Sequence, residues 1–348
     1  IEENTVDLIN DTFNDSGSIN VDGAKIKCWK AGGHGSQTYL QVVQNSCNPG
    51  FVSLGNKLGK TKLYKYINEF GFGQKTGIDL NGESNGILFN LDKVGPVELA
   101  TTAFGQGISV TAIQQITAVS AAINGGTLYK PYVVKRIVDP NTKEILVEND
   151  PKIVRNVIDN ETSKAVRNAL ETVVAYGTGR NAYIEGYRIG GKTGTAQKVK
   201  NGIYMSGNYI LSFIGFLPAD NPQVIVYVAI DYPKGITQYG GTVAAPIAKN
   251  IMTDIINILD IPKSKYTLDK EEFWYDTKYV EIPDIIGLEL KEAKAKLKNF
   301  TINYSGTGNI IKSISPNPGS IVKENSTIKI LLSNWQHRVK SFIYFHYI

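Results

Sequence analysis

The sequence predicts an α+β fold, an antiparallel sheet flanked by helices, with a small α/β unit attached after it. Three observations carry this expectation. Three β-rich segments follow one another with short links between residues 187 and 231. Helical periodicity stands on both sides of them, at 161–176 and 243–259. A charged stretch then precedes a second, much shorter alternation of strand and helix patterns.

Taken in order, residues 1–36 are polar and turn-rich, with Asn14-Asp15-Ser16-Gly17 and Gly32-Gly33-His34-Gly35. A helical pattern starts near Gln37 and runs through Leu40, Val43 and Gln44. Pro49 interrupts it, and Phe51, Leu54 and Leu58 restart it. Further helices are expected at 61–70 and 111–124. An amphipathic helix from Glu161 to Tyr176 is ended by Gly177-Thr178-Gly179. Tyr187–Lys200, Tyr209–Leu217 and the β-branched Gln223–Asp231 read as an antiparallel meander, with a turn at Ala219-Asp220-Asn221-Pro222. Val243–Leu259 reads as a long helix able to cover one face of that sheet. The organisation expected is a main domain at 1–262, a linker at 263–278, a small domain at 279–333 and an aromatic-rich tail at 334–348. In the small domain, Val280–Asp284 is extended and Glu289–Leu297 is helical. Strands are expected at Thr301–Tyr304, Ile310–Ser315 and Ser326–Leu332, with a turn at Asn317-Pro318-Gly319. A core of that size is marginal on its own.

Composition narrows the function classes. Apolar residues make up 42% and charged residues 20%, an ordinary globular balance. The net charge of +5 is spread without a Lys/Arg run, which speaks against a nucleic-acid partner. No apolar run reaches the ~18 residues of a membrane span. A chain opening on Ile1-Glu2-Glu3-Asn4 reads as cut from something longer.

His34 is the only histidine of the main domain, so a Ser-His-Asp triad would have to be built on it alone. A serine enzyme without histidine uses lysine as its base, and that chemistry brings together Ser-x-x-Lys, Ser-x-Asn and Lys-Thr-Gly elements. Ser-x-Asn occurs at 18–20, 46–48, 206–208 and 315–317. Of these, only Ser46-Cys47-Asn48 lies between two helical segments, where a hydroxyl and an amide can face a cleft. Lys-Thr-Gly occurs twice. Lys75-Thr76-Gly77 precedes a turn-like segment and reads as structural, whereas Lys192-Thr193-Gly194 lies in the strand that leads the meander. There a glycine admits an extended peptide to the strand edge, and a lysine and a hydroxyl can hold a carboxylate.

Two cysteines, Cys28 and Cys47, do not make a disulfide framework. With His34 they have the mixed thiolate and imidazole character of a zinc site, to which Asp15 or Asp22 would add an oxygen. A Cys28–Cys47 disulfide and two unlinked thiols are the alternatives, and the spacing does not choose among them. Each bears on chemistry, because Cys47 separates Ser46 from Asn48.

Ser46-Cys47-Asn48, Arg180-Asn181-Ala182-Tyr183 and Gly190-Gly191-Lys192-Thr193-Gly194-Thr195-Ala196-Gln197 together resemble class B penicillin-binding proteins. Gly105-Gln106-Gly107-Ile108-Ser109-Val110-Thr111 and Gly240-Gly241-Thr242-Val243-Ala244-Ala245-Pro246 are similar to further blocks of that family. The cysteine and glycine segment 28–35, taken with 46–51, is similar to its sporulation-specific branch. The 279–333 unit, through Ile282-Pro283-Asp284 and Ser315-Pro316-Asn317-Pro318-Gly319, resembles a PASTA domain.

The resemblance implies the penicilloyl-serine transferase fold and a peptidoglycan D,D-transpeptidase that forms an acyl-enzyme with a stem peptide, with spore cortex synthesis as the role of the parent. It implies that Ser46 relays protons and Asn48 hydrogen-bonds the substrate amide. Lys192 would supply positive potential, Thr193 and Gly194 would accept the substrate strand and its carboxylate, and the Thr195 N–H would serve as an oxyanion donor. The implied partners are stem peptides or their lipid-linked precursor, β-lactams and a membrane glycosyltransferase. The chemistry itself requires no cofactor. The implied location is the outer face of the cell membrane, by way of an anchor upstream of Ile1. One departure is large. The only Ser-x-x-Lys matches, Ser320–Lys323 and Ser326–Lys329, fall in the small domain, so the nucleophile is expected upstream and this chain is expected to be inactive alone. The rival expectation is a non-catalytic module that binds muropeptides or a protein partner.

Overall fold

The computed structural model describes residues 1–200, 203–270, 279–323 and 326–334. Parts of the expected linker and tail, residues 271–278 and 335–348, lie outside the described residues. The chain divides into two compact units, Ile1–Glu271 and Glu272–Ile348.

The first unit opens with four short strands, β1 (Thr12–Asp15), β2 (Ser18–Val21), β3 (Ala24–Lys27) and β4 (Gly35–Thr38). β2 and β3 form a hairpin that is enclosed in sequence by the antiparallel pair β1–β4. The sequence predicts only turns here. Strands of four mostly polar residues carry too little alternation to register against turn signals. Five helices follow, α1 (Tyr39–Asn45), α2 (Asn48–Leu58), α3 (Lys60–Glu69), α4 (Pro96–Ala103) and α5 (Ala112–Ile123). The helical pattern is interrupted as expected, at Ser46-Cys47, and Pro49 belongs to the helix that restarts. The proline sits in the first turn of α2, where its missing N–H has no intrahelical partner to lose. Two further ribbons, β5 (Thr127–Lys130) with β8 (Lys152–Asn156) and β6 (Arg136–Val138) with β7 (Ile145–Glu148), were also not foreseen.

The centre of the unit matches the expected meander. After α6 (Asn160–Ala175) come β9 (Gly190–Lys200), β10 (Ile203–Leu217) and β11 (Val224–Asp231), antiparallel in the order β11-β10-β9. α7 (Gly240–Ile258) lies along the sheet. Both faces are covered, which explains the nearly unbroken apolar run in β10. Phe213 packs with Ala244, Ala248 and Met252 of α7. Phe216, three positions on and so on the opposite face, packs with Ile123 of α5. The two rings reach across to β9 where it has no side chains. A Cβ on Gly190 would stand 2.2 Å from the Phe216 ring, and one on Gly191 2.5 Å from the Phe213 ring. The paired glycines thus bring β9 down onto β10 just before Lys192.

The second unit holds β12 (Tyr279–Glu281), α8 (Leu290–Lys296), β13 (Thr301–Gly306), β14 (Ile310–Ser315), β15 (Ile321–Lys323) and β16 (Thr327–Ser333). β16 is central, parallel to β13 and antiparallel to β14, while β12 pairs with β15. Its core gathers Ile282, Ile285, Leu297, Ile311, Ile328 and Ile330.

Candidate active site and metal centre

The site is built where the α1–α2 corner meets the open edge of β9. α1 is started by a capping box, in which Thr38 accepts from the Gln41 N–H and Gln41 answers to the Thr38 N–H. It ends at Ser46, whose backbone is left-handed, with φ 51° and ψ 46°. For a residue with a side chain such a backbone is held by its surroundings. The turn aims the Ser46 hydroxyl at β9, where Lys192 Nζ donates to Ser46 Oγ at 2.7 Å and to its neighbour's carbonyl, Thr193 O, at 3.0 Å. Loss of hydration on burial lowers the Lys192 pKa to about 8, so the ammonium is still largely charged at neutral pH.

Thr193 Oγ1 lies 2.8 Å from the hydroxyl of Thr178. From sequence, Thr178 is part of a helix stop and nothing more. The turn that carries it is docked on α1, since the Thr178 N–H donates to Gln44 O at 3.0 Å. Two hydroxyls side by side, next to an ammonium, make a receptor for a carboxylate. Thr195 Oγ1 accepts from the Gly240 N–H at 3.1 Å. That contact needs glycine at 240, because a Cβ there would lie 2.4 Å from both Gly194 O and Ser212 O. Asn181 Nδ2 donates to Gly241 O at 2.8 Å and ties the same corner down. β9 is an edge strand, so its outer side is open to an added extended peptide.

Ser46, Lys192, Thr193 and Thr195 therefore share one locality. Asn48 has a different engagement from the one expected of it, because its amide donates to Lys27 O at 3.1 Å. The second Lys-Thr-Gly closes its own loop. Glu83 accepts from Thr76 N at 2.9 Å, Thr76 Oγ1 at 2.6 Å and Gly77 N at 2.9 Å.

Directly behind Ser46 lies a cluster of Asp15, Cys28, His34 and Cys47, whose ligand atoms are all within 4.8 Å of one another. The nested ribbons bring it together: Asp15 ends β1, Cys28 follows β3, His34 precedes β4 and Cys47 is the N-cap of α2. Asp15 Oδ2 lies 3.0 Å from His34 Nδ1 and accepts from Cys47 Sγ at 3.2 Å, and Cys28 Sγ lies 3.3 Å from His34 Nδ1. Asp15 is 1% exposed and Cys47 fully buried. Burial alone would raise the Asp15 pKa, yet hydrogen bonds from Cys28, the Gly17 N–H, His34 and Cys47 hold it well below the carboxylate range. Burial would also lower the His34 pKa, but its bonds to Cys28 and Asp15 outweigh that and raise it. The hydrogen bond from Cys47 pushes the Cys28 thiol down, and the same pairing pushes Cys47 up. Both cysteines are free thiols in the structure. Two sulfurs, an imidazole and a carboxylate at these separations fit the tetrahedral shell of zinc, with bonds of about 2.0–2.3 Å. Asp15, named from sequence only as one of two optional oxygens, proves to be the centre of the cluster, and Asp22 has no part in it.

The penicillin binding protein transpeptidase domain family matches residues 1–253, and the PASTA domain family matches residues 280–334. The chain is 58% identical over 333 residues to stage V sporulation protein D of Bacillus subtilis, covering 96% of this chain and 52% of that protein. It is 36% identical over 224 residues to a probable peptidoglycan D,D-transpeptidase, PenA, of Neisseria meningitidis, covering 64% of this chain and 37% of the relative. It thus spans about half or less of the length of these relatives. Among solved structures, penicillin-binding protein 3 of Mycobacterium tuberculosis in complex with ampicillin superposes with a TM-score of 0.67 at 29% identity, over 76% of this chain and 61% of that one. The transpeptidase domain of Burkholderia pseudomallei penicillin-binding protein 3 gives 0.65, also at 29% identity, over 74% and 75%. With the expected motifs gathered on one strand edge, and with the family match running across the whole meander, the chain belongs to the penicillin-binding protein transpeptidase family and carries a PASTA domain after it.

Proposed function

We propose that the chain supplies the Ser-x-Asn corner and the Lys-Thr-Gly strand of a peptidoglycan D,D-transpeptidase acting in spore cortex synthesis. The observation that carries this is the Lys192–Ser46 hydrogen bond beside the Thr178–Thr193 pair. In this reading the substrate is the acyl-D-Ala-D-Ala end of a stem peptide, laid as an extra strand along β9. Its carboxylate meets Thr193, Thr178 and the positive potential of Lys192. A serine followed three residues later by lysine, contributed by the longer protein, attacks the carbonyl of the penultimate D-Ala and gives up its hydroxyl proton to that lysine. The developing oxyanion faces the Thr195 N–H. The C–N bond breaks, and the proton the leaving amine needs is delivered through Ser46, backed by Lys192. An amine of a neighbouring stem then takes the acyl group and frees the serine.

The longer protein is placed outside the cell membrane by an upstream anchor and works with a membrane glycosyltransferase that makes the strands it links. Among the described residues no helix is long and apolar enough to cross a membrane. β-Lactams are the expected inhibitors, since they copy the acyl-D-Ala-D-Ala shape and stall at the acyl-enzyme. The M. tuberculosis relative in complex with ampicillin supports this. The test is labelling with a fluorescent penicillin on a denaturing gel. The longer protein should label, and residues 1–348 alone should not. A band from residues 1–348 that disappears on Ser46→Ala would make Ser46 the nucleophile and overturn the assignment.

Asp15, Cys28, His34 and Cys47 hold a structural zinc ion in this reading. Zinc there would offset most of the charge of a buried carboxylate and two thiolates and fasten the back of the Ser46 loop, without entering the reaction. Purified protein should contain about one zinc per chain, and its thiols should react with a thiol reagent only after chelation. Metal-free protein with two freely reactive thiols would remove the site.

A further inference from the structure

The residues on either side of Cys28 grip the Ser46 loop from both ends. Lys27 offers its carbonyl to the Asn48 amide at 3.1 Å, and Trp29 donates its indole N–H to Asn45 O at 2.8 Å. Asn45 is the last residue of α1, so its carbonyl is one of those a helix end leaves without an intrahelical partner. The next residue is Ser46, in its left-handed backbone. The Trp29 ring meets the His34 imidazole edge-on, with centroids 5.4 Å apart, and the Tyr239 ring in the same manner at 6.4 Å. Tyr239 is the N-cap of α7, and the N–H of the following residue, Gly240, is the one bound to the Thr195 hydroxyl. Trp29 therefore touches both banks of the cleft, the α1–α2 corner through its N–H and the β9–α7 corner through its ring. It is 45% exposed, so filling the interior does not account for an indole at this position.

We propose that Trp29 is a positioning residue. Its indole N–H pins the end of α1, and through that fixes where the Ser46 hydroxyl stands against Lys192. Without the pin the carbonyl of Asn45 turns to water, the left-handed turn loses one of its restraints, and the Ser46–Lys192 geometry becomes one of several. A displacement of that kind slows a proton relay while leaving the carboxylate receptor of Thr178 and Thr193 in place. The inference rests on the transpeptidase reading, because that reaction is what gives the Ser46–Lys192 distance a consequence.

The experiment uses the full-length protein with its own Ser-x-x-Lys segment, and resolves acylation by a chromogenic β-lactam into a binding constant and an acylation rate constant. Trp29→Phe keeps a ring against Tyr239 and removes the N–H. The expected result is an acylation rate lower by about tenfold, as for loss of one orienting hydrogen bond. Binding should stay within about twofold and the melting temperature should be unchanged. Should the phenylalanine variant fail to fold, benzothienylalanine at position 29, with sulfur in place of the N–H, carries the same comparison. An unchanged acylation rate overturns the proposal. So does a loss shared equally by binding, rate and melting temperature, which would mark Trp29 as structural only. A wild-type protein that is not acylated at all fails the transpeptidase reading instead, and so the two failures are told apart.

Discussion

Lys192 is the residue on which most of the site's electrostatics rests. Its ammonium is buried enough to bring its pKa down to about 8, and its nearest acceptors are neutral oxygens, Ser46 Oγ and Thr193 O. The charged form is the one that donates to Ser46 and attracts a carboxylate, so the direction of the pH effect follows. Below pH 8 the site is armed, and it is progressively disarmed as the pH rises through 8. Acylation of the full-length protein should fall on the alkaline side with an apparent pKa near 8. Lys192→Arg, which stays charged past about pH 12, should carry that limb upward at the cost of a slower maximum. A limb that does not move in the arginine variant would assign the titration to another group. Thr178 shows what a single residue can hide. Nothing in Gly177-Thr178-Gly179 distinguishes a helix stop from half of a carboxylate receptor, because the pairing with Thr193 is made across 15 positions of sequence.

At the scale of elements, the close approach of α7 to β9 and β10 is the feature most sensitive to change. The first residue of α7 sits against two backbone oxygens, so Gly240→Ala would push a methyl group into both Gly194 O and Ser212 O. The expected cost is about 1–3 kcal/mol of stability, as for overpacking, together with loss of the Gly240–Thr195 bond, read as a lower melting temperature and slower β-lactam acylation. An unchanged melting temperature would mean that α7 can slide without penalty. The elements that were legible beforehand share a physical cause. β9 to β11, α6 and α7 are long, with nearly continuous apolar runs in β10 and β11, helical apolar spacing in α6 and α7, and the Lys-Thr-Gly block marking β9. β1 to β4 are four residues each, so the alternation in Ser18–Val21 and Ala24–Lys27 is too short to stand out among turn residues, and Gly35–Thr38 has no apolar residue at all. Yet it is these unannounced ribbons that fold Asp15, Cys28 and His34 onto Cys47. The ligand types were readable from sequence, and so was a shared place for Cys28, His34 and Cys47; that Asp15 rather than Asp22 joins them was not, since it is a property of the nested hairpins.

For the whole molecule, each compact unit has its own core, one around Phe213 and Met252 and one around Ile285 and Ile330. Residues 1–271 should therefore keep their fold when the rest is removed, and residues 279–334 should fold as a separate fragment. Calorimetry of the two fragments should give one cooperative transition each. Failure of the first fragment to melt cooperatively would show that the second braces it. The small fragment should be the weaker, as expected of a core of ten buried residues among those described.

The hydrogen bond between Lys192 and Ser46 joins residues 146 positions apart. The entropy of closing a chain segment grows with its length, by about 0.6 kcal/mol for each doubling. The β9–β10 hairpin closes over a few residues, so it can form early, whereas the α1–α2 corner must find β9 across about two-fifths of the chain. The working site is thus assembled at the end of folding, from pieces that are each stable by then. In the full-length protein, a β-lactam that needs both pieces in register would report on the last step of folding, and a slow phase of acylation after dilution from denaturant would time the arrival of Ser46 at Lys192.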